Sequence, residues 1–451
     1  MVKHVAFLFI NGKIWVMKIK RLLFVSLLSL TSCSPSYDMS LSEIMYTPYK
    51  YVYKDDTSEY IGPLGTSLYL KMYNTEQVNE VFDKTSEVLE KYHKLSDNFL
   101  DYDNITNIYS LNEMEEVNDV VIDEGLYNLI KMAKELSILT KGKFNLSMGQ
   151  VTSIWKDKFD NLNIYEKATS FSKEETYYIK NIRNKYIPVY GLTAFDEDQT
   201  YYVFKGKITN NIVDPSKEEI DEALKTVIPY DKLDEYLILN NEKHSLTLIN
   251  YSSDKKTKLD LGGIAKGYTL NEMRKEVPSS YPGFIWGGSS SIVTFAKNPS
   301  PTRDYYGINL TEPSGAIDSS NKVFSFMMNE FSSISTSGDE EQYYFNTEGI
   351  RRTHILNEDG YSSSYHRNVT VYSASVSADV LDVLSTAIMN TKTAQEIKEL
   401  VELFENRYST SIAYSYVDEV NSSYNLYLNQ EFKDLIIPSS YSSKINSVTV
   451  I

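Results

Sequence analysis

The sequence predicts an α+β fold, in which helices flank mixed sheets. Segments with helical apolar spacing alternate with short runs in which every second residue is apolar, but without the regular strand–helix–strand rhythm of a parallel sheet. The chain is also apolar enough to form a large core, because 42% of its 451 residues are hydrophobic and 13% are aromatic. This composition excludes a disordered chain.

The charge of the chain limits its partners. The formal net charge is −16 and the sequence pI is about 4.9, and no basic stripe is present. We therefore expect no nucleic-acid partner, since such partners select basic surfaces. The acidity mainly favours solubility.

The amino terminus has the pattern of an export signal. Lys18, Lys20 and Arg21 precede the short apolar run 22–30, which is too short for a stable membrane span. The run is followed by Thr31, Ser32 and Cys33, which is the only cysteine in the chain. Leu-Thr-Ser-Cys resembles a bacterial lipobox, in which the cysteine becomes the lipidated first residue. An ordinary signal peptide with an incidental cysteine is the alternative.

These features predict three parts of the chain. Residues 1–33 form a lipoprotein signal peptide, in which Met17 is a better initiator than Met1, and the mature protein is anchored by Cys33 to the outer face of the cytoplasmic membrane. Residues 34–58 are polar and Tyr-rich and form a tether. Residues 59–451 form the folded domain, and the weakly patterned segment 158–212 is an insertion in it.

The elements of the domain follow from local patterns. Alternating apolar residues predict a strand over 65–73, and apolar residues at helical spacing predict a helix over 75–94. A second helix covers 124–140, with Gly142 as its C-cap. Pro215 as an early helical residue opens a third helix, which ends near Val227. Further strands are expected near 237–239, 246–249, 284–286, 307–310 and 369–372, and further helices at 378–389 and 394–404.

The most informative segment is the glycine-rich run 259–268, Leu-Asp-Leu-Gly-Gly-Ile-Ala-Lys-Gly-Tyr. It precedes a helix-like segment over 271–276. Glycines let backbone N–H groups approach an anion, and a helix start adds partial positive charge. Lys266 in this run is placed to bind phosphate, although a solvated surface lysine is the alternative. The run matches neither common nucleotide-binding glycine pattern, so it indicates a phosphate site only weakly by itself.

A second candidate site lies on the helix predicted over 378–389. Asp382 and Thr386 stand four residues apart, so their side-chain oxygens share one face of the helix. A carboxylate and a hydroxyl suit Mg²⁺ and are poor ligands for zinc. Such pairs are also common near ordinary helix starts, so the spacing alone leaves metal binding open.

Seven segments, taken in order, resemble the ApbE-type FAD:protein FMN transferase family over about residues 64–390. The strongest is Asp260 to Tyr268, which is similar to the family's Asp-Leu-Gly-Gly-Ile-Ala-Lys-Gly-Tyr. The others are Gly65-Thr66, residues 105–112, Thr140 to Asn145 with Trp155, Gly287-Gly288, Thr336-Ser337-Gly338 with His354-Ile355, and Asp382-x-x-x-Thr386.

Four positions depart from the family pattern. Asn271 replaces an acid, Asn145 replaces the aspartate after Phe144, and Ser289 replaces the aspartate or asparagine after the paired glycines. The segment from His354 to Gly360 lacks the family's proline. These departures concern contacts with the flavin and the adenine, and they leave the metal pair, the lysine loop and the histidine in place.

The resemblance implies an Mg²⁺-dependent reaction in which FMN passes from FAD to a threonine (or serine) hydroxyl of another protein, and AMP leaves. It implies His354 as the catalytic base, and Asp382, Thr386 and the Ala265 carbonyl as metal ligands. The FAD-binding residues that it implies are Leu64, Gly65, Thr66, Tyr109, Asp260, Gly263, Lys266, Gly267, Asn271, Thr336, Ser337 and Gly338.

Several alternatives stay open. The same site could hydrolyse FAD to FMN and AMP, or the protein could be a non-catalytic flavin-binding lipoprotein. His354 could be a structural histidine, and Tyr109 could pack in the core instead of stacking on FAD. The expected partner is an exported acceptor flavoprotein with a Ser/Thr-Gly-Ala-Thr type motif. The string 312–317, Glu-Pro-Ser-Gly-Ala-Ile, lacks the final hydroxyl, so we expect no self-modification there.

Overall fold

The computed structural model describes residues 64, 68–73, 78–160, 194, 213–287, 290–313, 322–339, 343–363, 365–420, 423–438 and 440–451, together with short strands before residue 62 and between 165 and 204. The α-helices in this part of the chain are α1 Val78–Ser96, α2 Ile108–Glu113, α3 Glu124–Leu139, α4 Gly149–Asp160, α5 Lys217–Leu224, α6 Leu233–Tyr236, α7 Ala265–Lys275, α8 Ala378–Met389, α9 Ala394–Tyr408 and α10 Gln430–Leu435.

The strands are β1 His4–Ile10, β2 Lys13–Ile19, β3 Ser42–Met45, β4 Tyr49–Val52, β5 Ser58–Ile61, β6 Leu68–Met72, β7 Val117–Val121, β8 Tyr165–Lys167, β9 Tyr178–Ile182, β10 Lys185–Val189, β11 Tyr201–Phe204, β12 Leu237–Asn240, β13 Ser245–Leu248, β14 Gly283–Gly287, β15 Ser291–Thr294, β16 Tyr306–Thr311, β17 Lys322–Met328, β18 Ser333–Gly338, β19 Tyr343–Phe345, β20 Arg351–Thr353, β21 Asn368–Ser373, β22 Ala413–Val420, β23 Ser423–Leu428 and β24 Ile445–Val450.

A nine-stranded sheet forms the centre of the fold. Its strand order is β24-β23-β22-β21-β18-β15-β14-β6-β3, and its neighbours are antiparallel except for the parallel pair β23–β24. The smaller sheets include β12-β13-β7 and a separate four-stranded sheet, β10-β9-β11-β8. The mixture of helices with largely antiparallel sheets confirms the predicted α+β class.

Both faces of the central sheet are covered. Helices α7 and α8 pack on one face, where Val369 and Val371 of β21 join the apolar side chains of α8 in a single core. The hairpin β16–β17 and α10 cover the opposite face, where Phe326 and Phe432 pack together. Since α7 and α8 also contact each other, the central strands, α7 and α8 converge on one buried junction.

Most of the predicted elements occur close to their expected positions. The strand expected over 65–73 is β6, and the helix expected over 75–94 is α1. The five later strands correspond to β12, β13, β14, β16 and β21, and the two later helices to α8 and α9. Gly142 does adopt a positive φ of 84°, but Thr140 is the C-cap, because Lys141 already has a left-handed φ of 53°.

Two predicted helix starts are wrong. Pro215 lies outside α5, because Ser216 is the N-cap: its side chain accepts from Glu219 N–H, and the Glu219 side chain accepts from Ser216 N–H. The helix expected over 271–276 begins earlier, at Ala265, so Lys266 and Gly267 are helical residues. Because glycine has a low helix propensity, the glycines of this run make its helical second half hard to recognise from the sequence.

The predicted insertion 158–212 stays a prediction. Its first three residues belong to α4, and β8 to β11 within it pair with one another. The apolar run 22–30 and Cys33 lie outside the described residues. Within the part of the chain that the structure describes, no helix is both long and apolar enough to span a bilayer.

Candidate active site

The glycine-rich run forms a tight turn that leads into α7. The Asp260 carboxylate holds this turn, since one oxygen accepts from Gly262 N–H at 2.7 Å and the other accepts from the Thr152 hydroxyl at 2.7 Å. Ile264 is the N-cap of α7, and it provides no side-chain capping bond. Asp260 thus shapes the turn beside the helix start, where Gly263 and Lys266 also lie.

Gly267 is the point at which α7 crosses α8. A Cβ atom built on Gly267 would lie 2.3 Å from the Ala378 carbonyl oxygen and 2.8 Å from Asp379 N. The crossing therefore requires glycine, since any side chain would push the two helices apart. The same close approach lets Gly267 N–H donate to Asp382 Oδ2 at 3.1 Å.

Asp382 is a buried acid at this junction. Its side chain accepts from Gly267 N–H on one oxygen and from the Ser335 hydroxyl, at 3.0 Å, on the other. Burial raises the pKa of Asp382 above its usual range, although the positive charge of Lys266 and both hydrogen bonds oppose this shift. A buried carboxylate whose ionised form is disfavoured gains strongly from a bound cation.

A cluster of hydroxyl groups joins Asp382 to Thr386. Ser337 Oγ lies 2.8 Å from Ser385 Oγ and 3.3 Å from Thr386 Oγ1, and Ser385 Oγ lies 3.4 Å from Ser335 Oγ. Gly263 lies beside this cluster, since a Cβ on it would contact Thr386 Cγ2 at 3.7 Å. The glycine turn and the two predicted metal ligands therefore share one site.

Successive side chains of β18 point to opposite faces of the sheet. Ser335 and Ser337 face α8, whereas the side chain of Thr336 points away and its Oγ1 lies 3.0 Å from Thr370 Oγ1 on the neighbouring strand. Gly338 ends the strand. Sequence reasoning did not assign Ser335 and Ser385 to the site, although the period of two along β18 pairs Ser335 with Ser337.

Helix α2 is docked against the start of the glycine run. The Asn112 side chain donates to the Leu259 carbonyl at 2.9 Å and accepts from Leu259 N–H at 2.7 Å. Tyr109 lies in the first turn of α2, half-buried, and its backbone N–H donates to the Asp97 carbonyl at 2.9 Å. This arrangement puts the helix that carries Tyr109 next to Asp260.

Two of the remaining predicted FAD-binding residues, Leu64 and Asn271, make other contacts in the structure. Leu64 has a left-handed φ of 56°, and its N–H donates to His93 Nδ1 at 3.2 Å. Gly65 and Thr66 lie outside the described residues. On α7, Asn271 accepts from Arg274 at 2.8 Å, so this side chain takes part in a contact within its own helix.

His354 lies on an exposed loop directly after β20. Its Nδ1 lies 3.4 Å from Thr353 Oγ1. The loop is fastened to the end of α8, since Asn390 donates to the carbonyls of Lys143, at 3.0 Å, and Leu356, at 2.8 Å. Trp155 also donates to the Gly360 carbonyl at 2.8 Å, so the loop is held at both ends.

Asn357 gives this loop its shape without the family's proline. Its side-chain oxygen accepts from Asp359 N–H at 3.1 Å and from Tyr361 N–H at 3.0 Å. Gly360 completes the turn with a left-handed φ of 77°. An asparagine that accepts from the following backbone N–H groups fixes a turn much as a proline would.

The donor set fits a small, hard divalent cation. The described part of the chain contains no cluster of three or more His, Cys, Asp or Glu side chains, so a zinc-type site is not formed there. Asp382 and the Thr386 hydroxyl supply hard oxygens from one helix face, and the Ala265 carbonyl accepts from the Thr269 hydroxyl at 2.7 Å. Mg²⁺ usually takes one or two carboxylates and completes its shell with water and phosphate.

Comparisons with known proteins agree with this fold. The family model of the ApbE family matches residues 64–410. The fold is similar to an ApbE protein from Thermotoga maritima, with 20% identity, a TM-score of 0.56, and coverage of 83% of this chain and 94% of that one. It is also similar to flavin transferase ApbE from Vibrio cholerae, with 15% identity, a TM-score of 0.54, and coverage of 88% and 99%.

A third similar structure is the flavinyl transferase ApbE from Pseudomonas stutzeri in its apo form, with 16% identity, a TM-score of 0.55, and coverage of 88% of this chain and 96% of that one. No protein with a curated description matches the sequence. The solved structures establish the fold, and the family model covers well over half of the chain. The chain therefore belongs to the ApbE family.

Proposed function

We propose that this protein transfers FMN from FAD to a threonine (or serine) hydroxyl of an exported acceptor flavoprotein, with Mg²⁺ as cofactor and AMP as the leaving product. The observation that carries the proposal is the buried junction of Asp382 with Gly267 N–H and the Ser335 hydroxyl, beside Thr386 and the glycine turn. This junction combines a site for a hard cation with the start of a helix, where phosphate groups bind.

Each residue of the junction has a physical role in the proposal. Asp382, Thr386 and the Ala265 carbonyl would hold the cation, which would neutralise charge on the pyrophosphate. Lys266 lies in the first turn of α7 and adds a point charge for the phosphate oxygens. The turn formed by Gly262 and Gly263 leaves room for the pyrophosphate to approach the backbone.

His354 serves as the general base. Its exposed ring takes the proton from the acceptor hydroxyl, whose oxygen forms a bond to the FMN phosphorus. The bond between that phosphorus and the bridging oxygen breaks, and AMP leaves with the electron pair. An exposed base suits this step because the second substrate is a protein that must reach it from solvent.

Two other functions use parts of the same site. If water replaces the acceptor hydroxyl, the reaction becomes hydrolysis of FAD to FMN and AMP. A flavin-binding lipoprotein without chemistry is the third candidate, but storage of FAD does not require a buried carboxylate held for a cation. The junction around Asp382 therefore favours an enzyme.

The location is a further part of the proposal. Cleavage before Cys33 and lipidation of its thiol would anchor the mature protein to the outer face of the cytoplasmic membrane, where exported acceptors occur. The acceptor is expected to carry a Ser/Thr-Gly-Ala-Thr type motif.

One assay separates the three functions. Purified protein is incubated with FAD and Mg²⁺, with and without a peptide that carries the acceptor motif, and AMP and flavinylated peptide are quantified. AMP release that requires the peptide supports transfer. AMP release without the peptide supports hydrolysis, and no release in either case contradicts an enzymatic function.

A further inference from the structure

Asp214 is a half-buried acid that lies just before α5, far from the glycine turn in sequence. Its side chain is 19% exposed, and its side-chain hydrogen bonds in the described residues come from the hairpin formed by β19, β20 and the turn between them. Arg352 Nε donates to Asp214 Oδ2 at 2.7 Å, Asn346 Nδ2 donates to the same oxygen at 3.0 Å, and the Tyr344 hydroxyl donates to Oδ1 at 3.0 Å.

The register of the hairpin explains why these donors converge. Tyr344 and Arg352 are directly paired across the two strands, so their side chains lie on the same face. Tyr344 is fully buried, and burial together with the Asp214 carboxylate raises the pKa of its phenol, which therefore remains a hydrogen-bond donor. The hairpin thus presents three donors to a single carboxylate.

The opposite face of the hairpin is held by a second acid. Arg351 Nε lies 3.1 Å from Asp339 Oδ2, and Arg351 Nη2 donates to the Asp339 carbonyl at 2.8 Å. Asp339 directly follows β18, the strand that carries Ser335 and Ser337. The two consecutive arginines therefore tie the hairpin to the central sheet on one side and to Asp214 on the other.

His354 directly follows β20, the strand that is held on both faces. β20 ends at Thr353, whose N–H donates to Ser362 Oγ at 2.5 Å, and His354 is the next residue. The backbone position of His354 therefore depends on β20, and Asp214 holds β20 on one face. A misplacement of about 1 Å in a reacting group can cost about 10²-fold in rate.

We propose that Asp214 is a positioning residue for the reaction, which holds the β19–β20 hairpin so that His354 reaches the acceptor hydroxyl. This inference rests on the proposed function of His354 as the base. Asp214 touches neither the cation ligands nor the glycine turn, so its loss should affect turnover and leave the binding of FAD and Mg²⁺ intact.

The test uses Asp214→Asn in the full folded chain. Asparagine replaces one acceptor oxygen with a donor, so it cannot accept from Arg352, Asn346 and Tyr344 together. We expect kcat for FMN transfer to the acceptor peptide to fall about 10- to 100-fold, while the dissociation constants for FAD and Mg²⁺ change less than twofold. Asp119→Asn, which removes an acid that joins Lys243 and Ser245 in a different sheet, is the matched control and should keep the wild-type kcat.

A double-mutant cycle with His354→Asn distinguishes positioning from a merely structural role. If Asp214 acts through His354, adding Asp214→Asn to His354→Asn produces no further loss of kcat. The proposal is overturned if Asp214→Asn lowers kcat by the same factor in the His354→Asn variant as in wild type. A wild-type kcat in Asp214→Asn alone would also overturn it. If Asp214→Asn does not fold, Arg352→Gln replaces it in the same cycle and is judged in the same way.

Amide hydrogen exchange gives a readout that does not depend on activity. Residues 343–354 should lose protection in Asp214→Asn but not in Asp119→Asn, and unchanged protection would contradict the inference. Failure of the proposed function is recognised separately, because wild-type protein would then form no flavinylated peptide at all.

Discussion

Asp382→Asn isolates the charge of the proposed metal ligand from its role in packing. Asparagine has the same shape, and its side-chain oxygen can still accept from Gly267 N–H. The new amide group can donate to Ser335 Oγ, which can turn its own hydroxyl hydrogen towards Ser385 Oγ at 3.4 Å. The junction thus keeps its hydrogen bonds, and the variant should fold.

We therefore expect the substitution to weaken the binding of the cation and to leave folding intact. At an effective dielectric constant near 20, removing one unit charge about 4 Å from another costs ~4 kcal/mol, which corresponds to ~10³-fold in affinity. We expect Mg²⁺ affinity to fall by at least this factor, and Mg²⁺-dependent AMP release to fall by about 10² to 10³ or more.

Thermal unfolding with and without Mg²⁺ measures the first effect, and AMP quantification measures the second. In wild type, Mg²⁺ at 100 times its dissociation constant should stabilise the fold by ~2.7 kcal/mol, and in Asp382→Asn this gain should vanish. Without Mg²⁺ the variant should be at least as stable as wild type, because burial raises the pKa of Asp382 and its ionised form destabilises the cation-free protein at neutral pH.

Asp379→Asn is the matched control for this experiment. Asp379 is equally buried on the same helix, and in the described residues its Oδ1 has no hydrogen-bond partner. It lies one turn before Asp382 on the same helix, but the Asp-x-x-x-Thr pattern places the ligand carboxylate four residues before the threonine and not seven, so Asn at this position should keep both Mg²⁺ binding and transfer. The reasoning is refuted if Asp382→Asn keeps Mg²⁺-dependent AMP release and Asp379→Asn loses it.

Three further predictions follow from the same contacts. Ser335→Ala should weaken Mg²⁺ binding ~10- to 100-fold because it removes a donor that orients Asp382, and titration calorimetry showing unchanged affinity would contradict this. Gly267→Ala should lower the free energy of unfolding in urea by ~1–3 kcal/mol, whereas Gly307→Ala, whose new Cβ would meet only Ile437 at 3.8 Å, should change it little. Cys33→Ala should move the protein from the membrane fraction to the soluble fraction, and mass spectrometry that finds an unmodified Cys33 in the wild-type protein would exclude a lipid anchor.

The sequence predicts those parts of the site that depend on local spacing. Asp382 and Thr386 share a helix face whatever surrounds them, and the glycine run is recognisable from its composition. The role of Ser335 could not be predicted in this way, because it depends on which face of β18 meets α8. That choice is made by packing between elements separated by about 40 residues, and no local pattern reports it.

Contacts between distant segments explain why other features of the structure could not be predicted from the sequence. The bonds from Arg352 to Asp214 span 138 residues, and nothing near either residue indicates the other. The sequence predicts the start of α7 too late for a related reason. Glycine has a low helix propensity, so Gly262, Gly263 and Gly267 together favour a loop when they are considered locally.

Tertiary packing reverses that preference at Gly267. The missing side chain lets the Ala378 carbonyl approach α7 more closely than any Cβ would allow, and the approach buries apolar surface from both helices. It also brings Gly267 N–H within hydrogen-bond reach of Asp382. One glycine therefore serves both the packing of the two helices and the placement of the carboxylate, so this junction cannot be altered there without also altering the core.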